Sequence, residues 1–472
     1  MRKRWIVLLA LILVGAFALP AMAEVSFFGT ARVLPTYYSN FDFDDNKPDT
    51  PVVNEGGLTM GEHIRNEIRL GWKAGGDKWK IMMIAETDLI AEKDTADRSF
   101  YNTGTKGSPA AANAGGEFGI ERLELNYTFA PALVLSTGWN IRAADIKTGG
   151  LLFGDDHPFI ELGGNISENL KYALTYLQIN NRQITSGASP VRDDWRAYLL
   201  KFDASVGAGA AKFTLSPLLL YSDNKLNNAK VYYYGIEGTG QIGIFKPSFE
   251  FVYADGEFRN TPKDIQAYAY FAGVEAAVSK ALNPYVAVRF ATGDDNSSDN
   301  DVEGFVGITD IARFTPLMGM DGNILGEGLA ATVGATPYSN ALYSYAPERQ
   351  FATNRYGGIS NVGSGDNPGH MIIAFGAKGA VSEALSYKAQ IFLIWFDQTK
   401  NLPIGAGKTL TEVDDYAGTT FDLQLSYKFS PNFSTYFIYS TFVPGDGIKD
   451  QLATTADDTP AQLASLGLVW TY

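Results

Sequence analysis

The chain has 472 residues, no cysteine and a formal net charge of −14, with 46% hydrophobic and 13% aromatic residues. The lack of cysteine excludes disulfides, a lipid anchor on cysteine and thiolate metal sites, and the acidic balance argues against nucleic acid as a partner. The hydrophobic share suits an average globular protein and also a β-barrel whose strands alternate polar and apolar side chains.

The first 23 residues predict a secretory signal peptide. MRKRWIVLLALILVGAFALPAMA has a basic start, an apolar run, a break at Pro20 and a small-x-small end at residues 21–23, after which cleavage is expected. An uncleaved membrane anchor is the alternative, because residues 6–23 approach the length of a spanning helix. Cleavage leaves 35 basic and 52 acidic residues, a net charge of −17. No later apolar run in the sequence reaches spanning length.

Alternation of apolar and polar residues with period two dominates the rest of the chain. The stretches HIRNEIRLGWKA (63–74) and TFDLQLSYKF (420–429) each place apolar side chains on one face and charged or polar ones on the other. The same pattern predicts about eighteen strands, near residues 25–37, 62–74, 78–90, 119–130, 133–143, 158–165, 170–180, 195–205, 211–222, 229–240, 246–255, 265–277, 284–292, 371–380, 385–397, 419–429, 433–443 and 462–472. Most have about ten residues, the length that a tilted strand needs to cross a bilayer.

The connections between these strands alternate in length. Short ones are built from Gly, Pro, Ser and Asn, such as APA at 130–132 and SPN at 430–432, and long ones lie between them, such as 39–60, 91–116, 181–194 and 398–418. This predicts an all-β fold, a transmembrane antiparallel up-and-down β-barrel of about 16 to 18 strands over residues 24–472, with short periplasmic turns and long extracellular loops. A soluble β-sandwich or propeller is the alternative, against which strand length and loop asymmetry count.

The chain ends on LASLGLVWTY, in which Leu466, Leu468, Trp470 and Tyr472 alternate with small or polar residues. With the predicted signal peptide, the absence of cysteine and the long strands, this ending resembles the porins of the Gram-negative outer membrane. Two departures are the final Tyr, where most porins have Phe, and the lack of a PEFGG-like stretch. The resemblance implies an outer-membrane location among lipid and lipopolysaccharide, recognition of the last strand by the assembly machinery, closure of that strand against residues 25–34, and a homotrimer.

Charged residues on the polar faces of the predicted strands are the candidate pore lining, because ionised groups suit a water-filled lumen and not lipid. Their alternative role is to solvate the interior and cross-link strands. These residues are Arg65, Glu67, Arg69, Lys80, Glu86, Asp88, Arg122, Glu124, Arg142, Lys171, Glu237, Glu250, Glu275, Arg289, Lys388, Asp422 and Lys428. Their charges nearly balance, so most of the negative charge is expected on loops, where it predicts a weak cation preference at low salt.

The longest connection, residues 293–370, is predicted to lie on the extracellular side and to fold into the barrel mouth as a constriction. It is rich in aromatic residues, which would pack against the wall, and its Arg349 and Arg355 are expected to face the solute path. A cap lying on neighbouring loops or on a sister subunit is the alternative.

Catalytic and cofactor chemistry find little support in the sequence. His157 stands beside two aspartates, but no spacing singles out a nucleophile with an oriented base. The acidic stretch GDDNSSDNDVEG, from residue 293, lacks the EF-hand order and is interpreted as a solvated loop, with Ca²⁺ binding as the alternative. GGLLFG lacks the Lys and Ser/Thr of a phosphate loop. We therefore expect no enzyme, no metal and no cofactor.

The function predicted from these observations is a porin that passes small hydrophilic solutes and ions by passive diffusion. A substrate-selective channel for a sugar, an organic acid or a polysaccharide is the first alternative. An outer-membrane enzyme or an adhesin is the more distant one.

Overall fold

A computed structural model describes residues 24–40, 43, 45, 52–54, 57–59, 62–90, 117–145, 147–186, 189–209, 211–225, 228–296, 298–305, 307–308, 368–400, 402, 404–452, 454–455 and 458–472. The predicted signal peptide, residues 1–23, and Arg349 and Arg355 lie outside these residues.

Eighteen antiparallel strands form a closed barrel. In chain order they are β1 Glu24–Ser39, β2 Glu62–Gly75, β3 Trp79–Ile90, β4 Glu117–Ala130, β5 Leu133–Ala143, β6 Gly154–Ser167, β7 Leu170–Ser186, β8 Ser189–Ala208, β9 Ala211–Asn224, β10 Ala229–Ile242, β11 Phe245–Phe258, β12 Asp264–Ala276, β13 Asn283–Ala291, β14 His370–Ala380, β15 Leu385–Trp395, β16 Tyr416–Ser430, β17 Phe433–Pro444 and β18 Ala461–Thr471. Each strand pairs with the next along the chain, so the predicted up-and-down topology is confirmed. The long connection predicted at 181–194 is wrong, because β7 and β8 continue their pairing as far as Ser186 opposite Ser189.

Smaller elements lie in the connections. Val52–Asn54 and Gly57–Thr59 form a separate hairpin, and the two-residue strand Asp301–Val302 runs parallel to the start of β12. The helix α1, Asp446–Lys449, follows β17. Within the described part of the chain, no helix has both the length and the apolar character required to cross a membrane.

The first and last strands close the barrel, as the sequence predicted. β1 and β18 pair from Thr30 opposite Thr471 to Ser39 opposite Gln462. Gly29 and Tyr472 extend this pairing, because each backbone N–H donates to the other residue's carbonyl at 3.1 and 3.2 Å. A Cβ on Gly29 would lie 2.5 Å from the backbone oxygen of Arg69 and closer still to the Tyr472 ring, so only glycine fits at this junction.

Period-two alternation sorts the side chains between the two faces of the wall. On β11, Phe249 and Phe251 are 37% and 44% exposed on the outer face, whereas Glu250 and Val252 between and beyond them are 2% and 0% exposed on the inner face. A belt of exposed Phe, Tyr, Leu, Ile and Val around a charged interior is typical of barrels that reside in a bilayer.

The outer belt includes a run of tyrosines. Tyr176, Tyr198, Tyr221 and Tyr232 lie directly opposite one another on β7 to β10, with ring centroids 5.4, 6.2 and 4.8 Å apart. Tyrosines at one level of the outer wall are characteristic of the aromatic girdle at a membrane interface.

The barrel is not empty on the side of the long connections. Inward residues such as Trp195, Leu220 and Tyr233 are at most 1% exposed because segments from these connections cover them. Among the covering side chains are Leu151, Leu152, Phe153, Val302, Phe305, Ile308, Leu402, Val413, Ile448 and Leu452. This internal apolar core lies on the long-connection side of the lumen and includes inner-wall residues from β6, with Phe159, to β18, with Leu463.

Candidate functional site

Residues 144, 145 and 147–153, in the connection from β5 to β6, lie inside the barrel; we call them the infolded loop. Asp145, Leu151, Leu152 and Phe153 are each at most 2% exposed. The loop reaches along the inner wall to contact β8 to β12, well beyond the strands that it connects. It therefore narrows the lumen from one side.

Glu250, on the inner face of β11, is the main anchor of the infolded loop. Its Oε2 accepts hydrogen bonds from the Thr148 hydroxyl at 2.7 Å and from the N–H groups of Gly149 and Gly150 at 2.8 and 3.0 Å. Its Oε1 accepts from the Leu151 N–H at 3.1 Å. Four donors thus converge on one buried side chain and tie the backbone of the loop to the wall.

The glycine pair makes this arrangement possible. A Cβ on Gly149 would lie 2.7 Å from the Cβ of Phe271 on β12 and 3.1 Å from the Glu250 carboxylate. Gly150 has a φ of 64°, a conformation that favours glycine. The two glycines bring the loop backbone to the wall and turn successive N–H groups toward a single carboxylate.

A second set of contacts fixes the start of the infolded loop. The Lys201 ammonium on β8 donates to Glu237 Oε1 on β10 at 2.6 Å and to the backbone carbonyl of Ala144. The Lys147 N–H donates to Glu237 Oε2 at 3.1 Å, and the Lys147 ammonium lies 2.6 Å from Asp203 on β8. These contacts connect the loop to two further strands.

The first part of the longest connection packs on the infolded loop. The Ile308 N–H donates to the Leu152 carbonyl at 2.8 Å. Phe305 packs edge-on against the inward ring of Tyr233, with centroids 6.5 Å apart. Residues 302–305, 307 and 308 therefore turn toward the lumen, while the rest of this connection, from 309 to 367, lies outside the described residues.

Charged residues line the inner wall on β2 to β6, and we call this set the charged arc: Arg69, Glu86, Glu121, Arg122, Glu124, Arg142 and Glu161. Arg69 hydrogen-bonds Glu86 directly across β2 and β3. Arg142 bridges Glu124 at 3.1 Å and Glu161 at 3.4 Å. Side-chain exposure of the seven is between 15 and 24%, so they are only partly covered.

A β-bulge adds Glu121 to the charged arc. The register of β3 against β4 shifts so that Ile84 is opposite Arg122 and Ala85 is opposite Ile120, which leaves Glu121 as the extra residue. Glu121 then lies 3.3 Å from an Arg69 nitrogen and 3.7 Å from an Arg122 nitrogen. Strict alternation would place the Glu121 carboxylate on the lipid side.

The other predicted lining residues occupy varied positions. Glu250, Arg289 and Asp422 face inward but are at most 5% exposed; Glu250 is covered by the infolded loop, and Asp422 accepts hydrogen bonds from Gln390 at 2.9 Å and from Ser440. Glu275 bridges Lys246 and Lys378 at 3.1 and 2.7 Å.

Lysines on the inner wall lie mainly near the short turns. Lys388 on β15 lies 5.7 Å from the centre of the Tyr285 ring. Lys80, Lys171 and Lys428 are exposed near the short-turn ends of β3, β7 and β16. The backbones of Arg65, Glu67 and Asp88 belong to β2 and β3, and their side chains are outside the described part of the molecule.

The acidic stretch after β13 organises its own backbone. Asp294 accepts hydrogen bonds from the N–H groups of Asn296 and Glu303 at 3.0 and 3.3 Å, and Lys400 bonds Asp295 at 2.7 Å. Burial raises the pKa of the Asp294 carboxyl, and burial together with the neighbouring aspartates raises the pKa of Glu303. Among the described residues there is no group of three or more potential metal ligands, here or elsewhere.

Two features of the site were missed by the sequence reasoning. The first is the inward path of the infolded loop, whose sequence suggested only that no phosphate loop is present. The stretch KTGGLL has a glycine pair beside apolar residues in a connection, which indicates a backbone that approaches a wall. Glu121 was omitted because alternation was assumed to be unbroken. The run IERLEL (120–125) carries adjacent charges at Glu121 and Arg122, which strict alternation cannot keep out of lipid, and this was the available signal.

Comparison with known proteins gives structural relatives only. No protein-family model matches the sequence, and no curated protein matches it. OccAB2 from Acinetobacter baumannii has a TM-score of 0.56 at 12% identity, with 95% of this chain and 98% of that chain covered. OccK5 (OpdH) and the glucuronate complex of OccK2 (OpdF), both from Pseudomonas aeruginosa, have TM-scores of 0.51 and 0.54 at 10% and 11% identity, with the same coverages.

These relatives are outer-membrane porins of Gram-negative bacteria. At such low identity the likeness concerns the fold, and it extends over nearly the whole length of both chains. The predicted resemblance is confirmed: this chain has the closed-barrel fold of the Gram-negative outer-membrane porins.

Proposed function

We propose that the protein is an outer-membrane channel through which small hydrophilic solutes and ions diffuse passively. The observation that carries this proposal is a closed barrel with an apolar outer belt and a charged, ion-paired inner wall. Ionised groups on the inside of a bilayer-spanning barrel require water there, and eighteen strands enclose enough space for an aqueous channel.

The solute path follows the charged arc. The apolar core covers the inner wall on the long-connection side from β6 to β18, whereas the arc on β2 to β6 keeps partly exposed charged groups. The infolded loop forms the opposite side of the narrowest part. That Arg349 and Arg355 face the solute path in the same constriction stays a prediction. Replacing residues 309–367 with a short turn tests it, because conductance should rise if that segment also narrows the path.

Planar-bilayer recording tests the channel itself. Purified protein should give discrete conductance steps, and their absence at any protein concentration would refute a channel and favour an enzyme or an adhesin. The fold relatives are channels, which supports a non-catalytic role. We also propose a weak cation preference that fades as salt rises, measured as a reversal potential in a KCl gradient.

A substrate-selective channel is the second candidate, and one observation favours it. The inner wall near the short turns carries Lys246, Lys378 and Lys388 around Glu275, an arrangement that suits an organic anion. OccK2, one of the fold relatives, was crystallised with glucuronate. Saturable block of the ion current by glucuronate, with no block by a neutral sugar of the same size, would favour selectivity over general diffusion.

Three further proposals concern cellular context. We propose export with cleavage after Ala23, checked by mass spectrometry of the mature amino terminus. We propose residence among outer-membrane lipid and lipopolysaccharide after assembly through β18, checked by fractionation. We propose a homotrimer. Light scattering that shows only a monomer in detergent solution would contradict it.

A further inference from the structure

Glu121 differs from the other carboxylates of the charged arc in how it reaches the lumen. The bulge in β4 places Glu121 and Arg122, adjacent in sequence, on the same side of the wall. Without the bulge only one of them could face water, because neighbouring residues of a strand point to opposite faces. The bulge therefore adds one carboxylate to the inner wall.

This additional carboxylate decides the charge balance of the arc. Arg69, Arg122 and Arg142 contribute three positive charges, and Glu86, Glu121, Glu124 and Glu161 contribute four negative ones. With Glu121 on the outside the six remaining residues, three Arg and three Glu, would be neutral together. With Glu121 inside, each guanidinium has a carboxylate within 4 Å and one negative charge is in excess.

The arc lies where the lumen is narrowed. Arg142 belongs to the arc and stands two residues before Ala144, where the infolded loop begins, so the arc and the loop are at the same level. A fixed charge acts most strongly on permeating ions where the path is narrow, because the Debye length at 0.1 M salt is only about 10 Å.

We propose that Glu121, placed in the lumen by the β4 bulge, is the residue that determines the ion selectivity of the channel. It pairs with Arg122 and, together with Glu86, with Arg69, and its added negative charge gives the narrow part of the path its cation preference. The proposal rests on the proposed channel function and assigns to a wall residue the selectivity that acidic loops alone were expected to supply.

The test uses two substitutions with opposite expected effects on the permeability ratio of K⁺ over Cl⁻, obtained from reversal potentials near 0.1 M KCl. Glu121→Gln removes the excess negative charge and should lower the ratio about twofold, as one charge several ångströms from an ion acts through water with partial screening. Arg122→Gln removes a positive charge and should raise the ratio by a similar factor. This second variant keeps the test decisive if the first does not assemble.

Glu275→Gln is the matched control. Glu275 also bridges two cations, at 3.1 and 2.7 Å, but it is the penultimate residue of β12, beside a short turn and away from the infolded loop. We expect the K⁺ over Cl⁻ permeability ratio to change by less than half as much in Glu275→Gln as in Glu121→Gln. Equal shifts for Glu275→Gln and Glu121→Gln, or ratios for both arc variants equal to that of the wild type, would overturn the assignment to Glu121 while leaving the channel intact. A wild-type protein without conductance would overturn the channel function itself, and this inference with it.

Discussion

Replacing Glu250 by Gln should release the infolded loop without changing the size of the side chain. Glutamine offers one carbonyl oxygen and one NH₂ group, whereas the structure presents four donors to the two carboxylate oxygens. If the amide oxygen replaces Oε2, three bonds persist and the NH₂ group faces the Leu151 N–H, donor against donor. The opposite amide orientation loses more bonds.

The magnitude follows from these contacts. A buried donor left unsatisfied costs about 1 to 3 kcal/mol, and the Leu151 N–H is left in that state. A net loss of roughly 1 to 3 kcal/mol raises the population of detached loops about 5- to 150-fold.

Single-channel recording measures this change directly. We expect Glu250→Gln to show larger open-channel noise and excursions to a higher conductance than the wild type. Glu257→Gln is the control on the same strand, because Glu257 is 57% exposed and its 3.4 Å contact with Lys230 is at the surface; such pairs contribute little. If both variants match the wild type in conductance and noise, the carboxylate does not hold the loop and the reasoning from its four donors fails.

Three other changes test separate parts of the structure. Leu152→Ala removes a fully buried side chain of the infolded loop, which lowers the stability of the packed loop by about 2 to 5 kcal/mol. Open-channel noise should therefore increase, as it should when the Glu250 anchor is lost. Gly29→Val introduces a side chain where a Cβ alone would meet the Tyr472 ring, so we expect failure of β1 and β18 to close, seen as loss of the heat-modifiable band in electrophoresis. Glu303→Gln should slow hydrogen exchange of residues 292–305 about twofold at neutral pH, with no difference below about pH 4.

The raised pKa values of Asp294 and Glu303 explain why Glu303→Gln should slow hydrogen exchange. Folding that raises a carboxyl pKa favours the protonated form, so the stability it contributes is present below the ordinary pKa of about 4 and is lost as the pH rises through the raised value. A Gln at 303 is uncharged at every pH, so the segment keeps at neutral pH the stability that it has with a protonated Glu303 at low pH. Equal exchange rates at pH 7 would contradict the electrostatic origin.

Controls for the other two are available in the chain. Gly119→Ala changes a strand glycine that has no atom within 4 Å of an added Cβ, and it should assemble normally. Val443→Ala shortens an outward side chain that is 40% exposed, and it should leave the noise of the channel unchanged. Failure of either control would show that the assays report general instability.

The strands were predictable from the sequence because their signal is local. A side chain on a strand points in or out according to its position alone, so HIRNEIRLGWKA and TFDLQLSYKF each predict their own faces without knowledge of any neighbour. All eighteen predicted strands overlap observed ones, and the closure of residues 25–34 against the last strand followed from the requirement that a bilayer barrel have no free edge.

The interior was decided by contacts between residues far apart in the chain. Glu250 reads as a water-facing charge by alternation, yet Thr148, about a hundred residues earlier, brings a loop over it. Glu121 reads as outward, yet a shift of register against β3 turns it inward. Neither the path of a connection nor the position of a bulge is encoded in a period of two, because both depend on which partner surface the folded wall presents; tertiary structure therefore determined that Glu250 is covered and that Glu121 meets water.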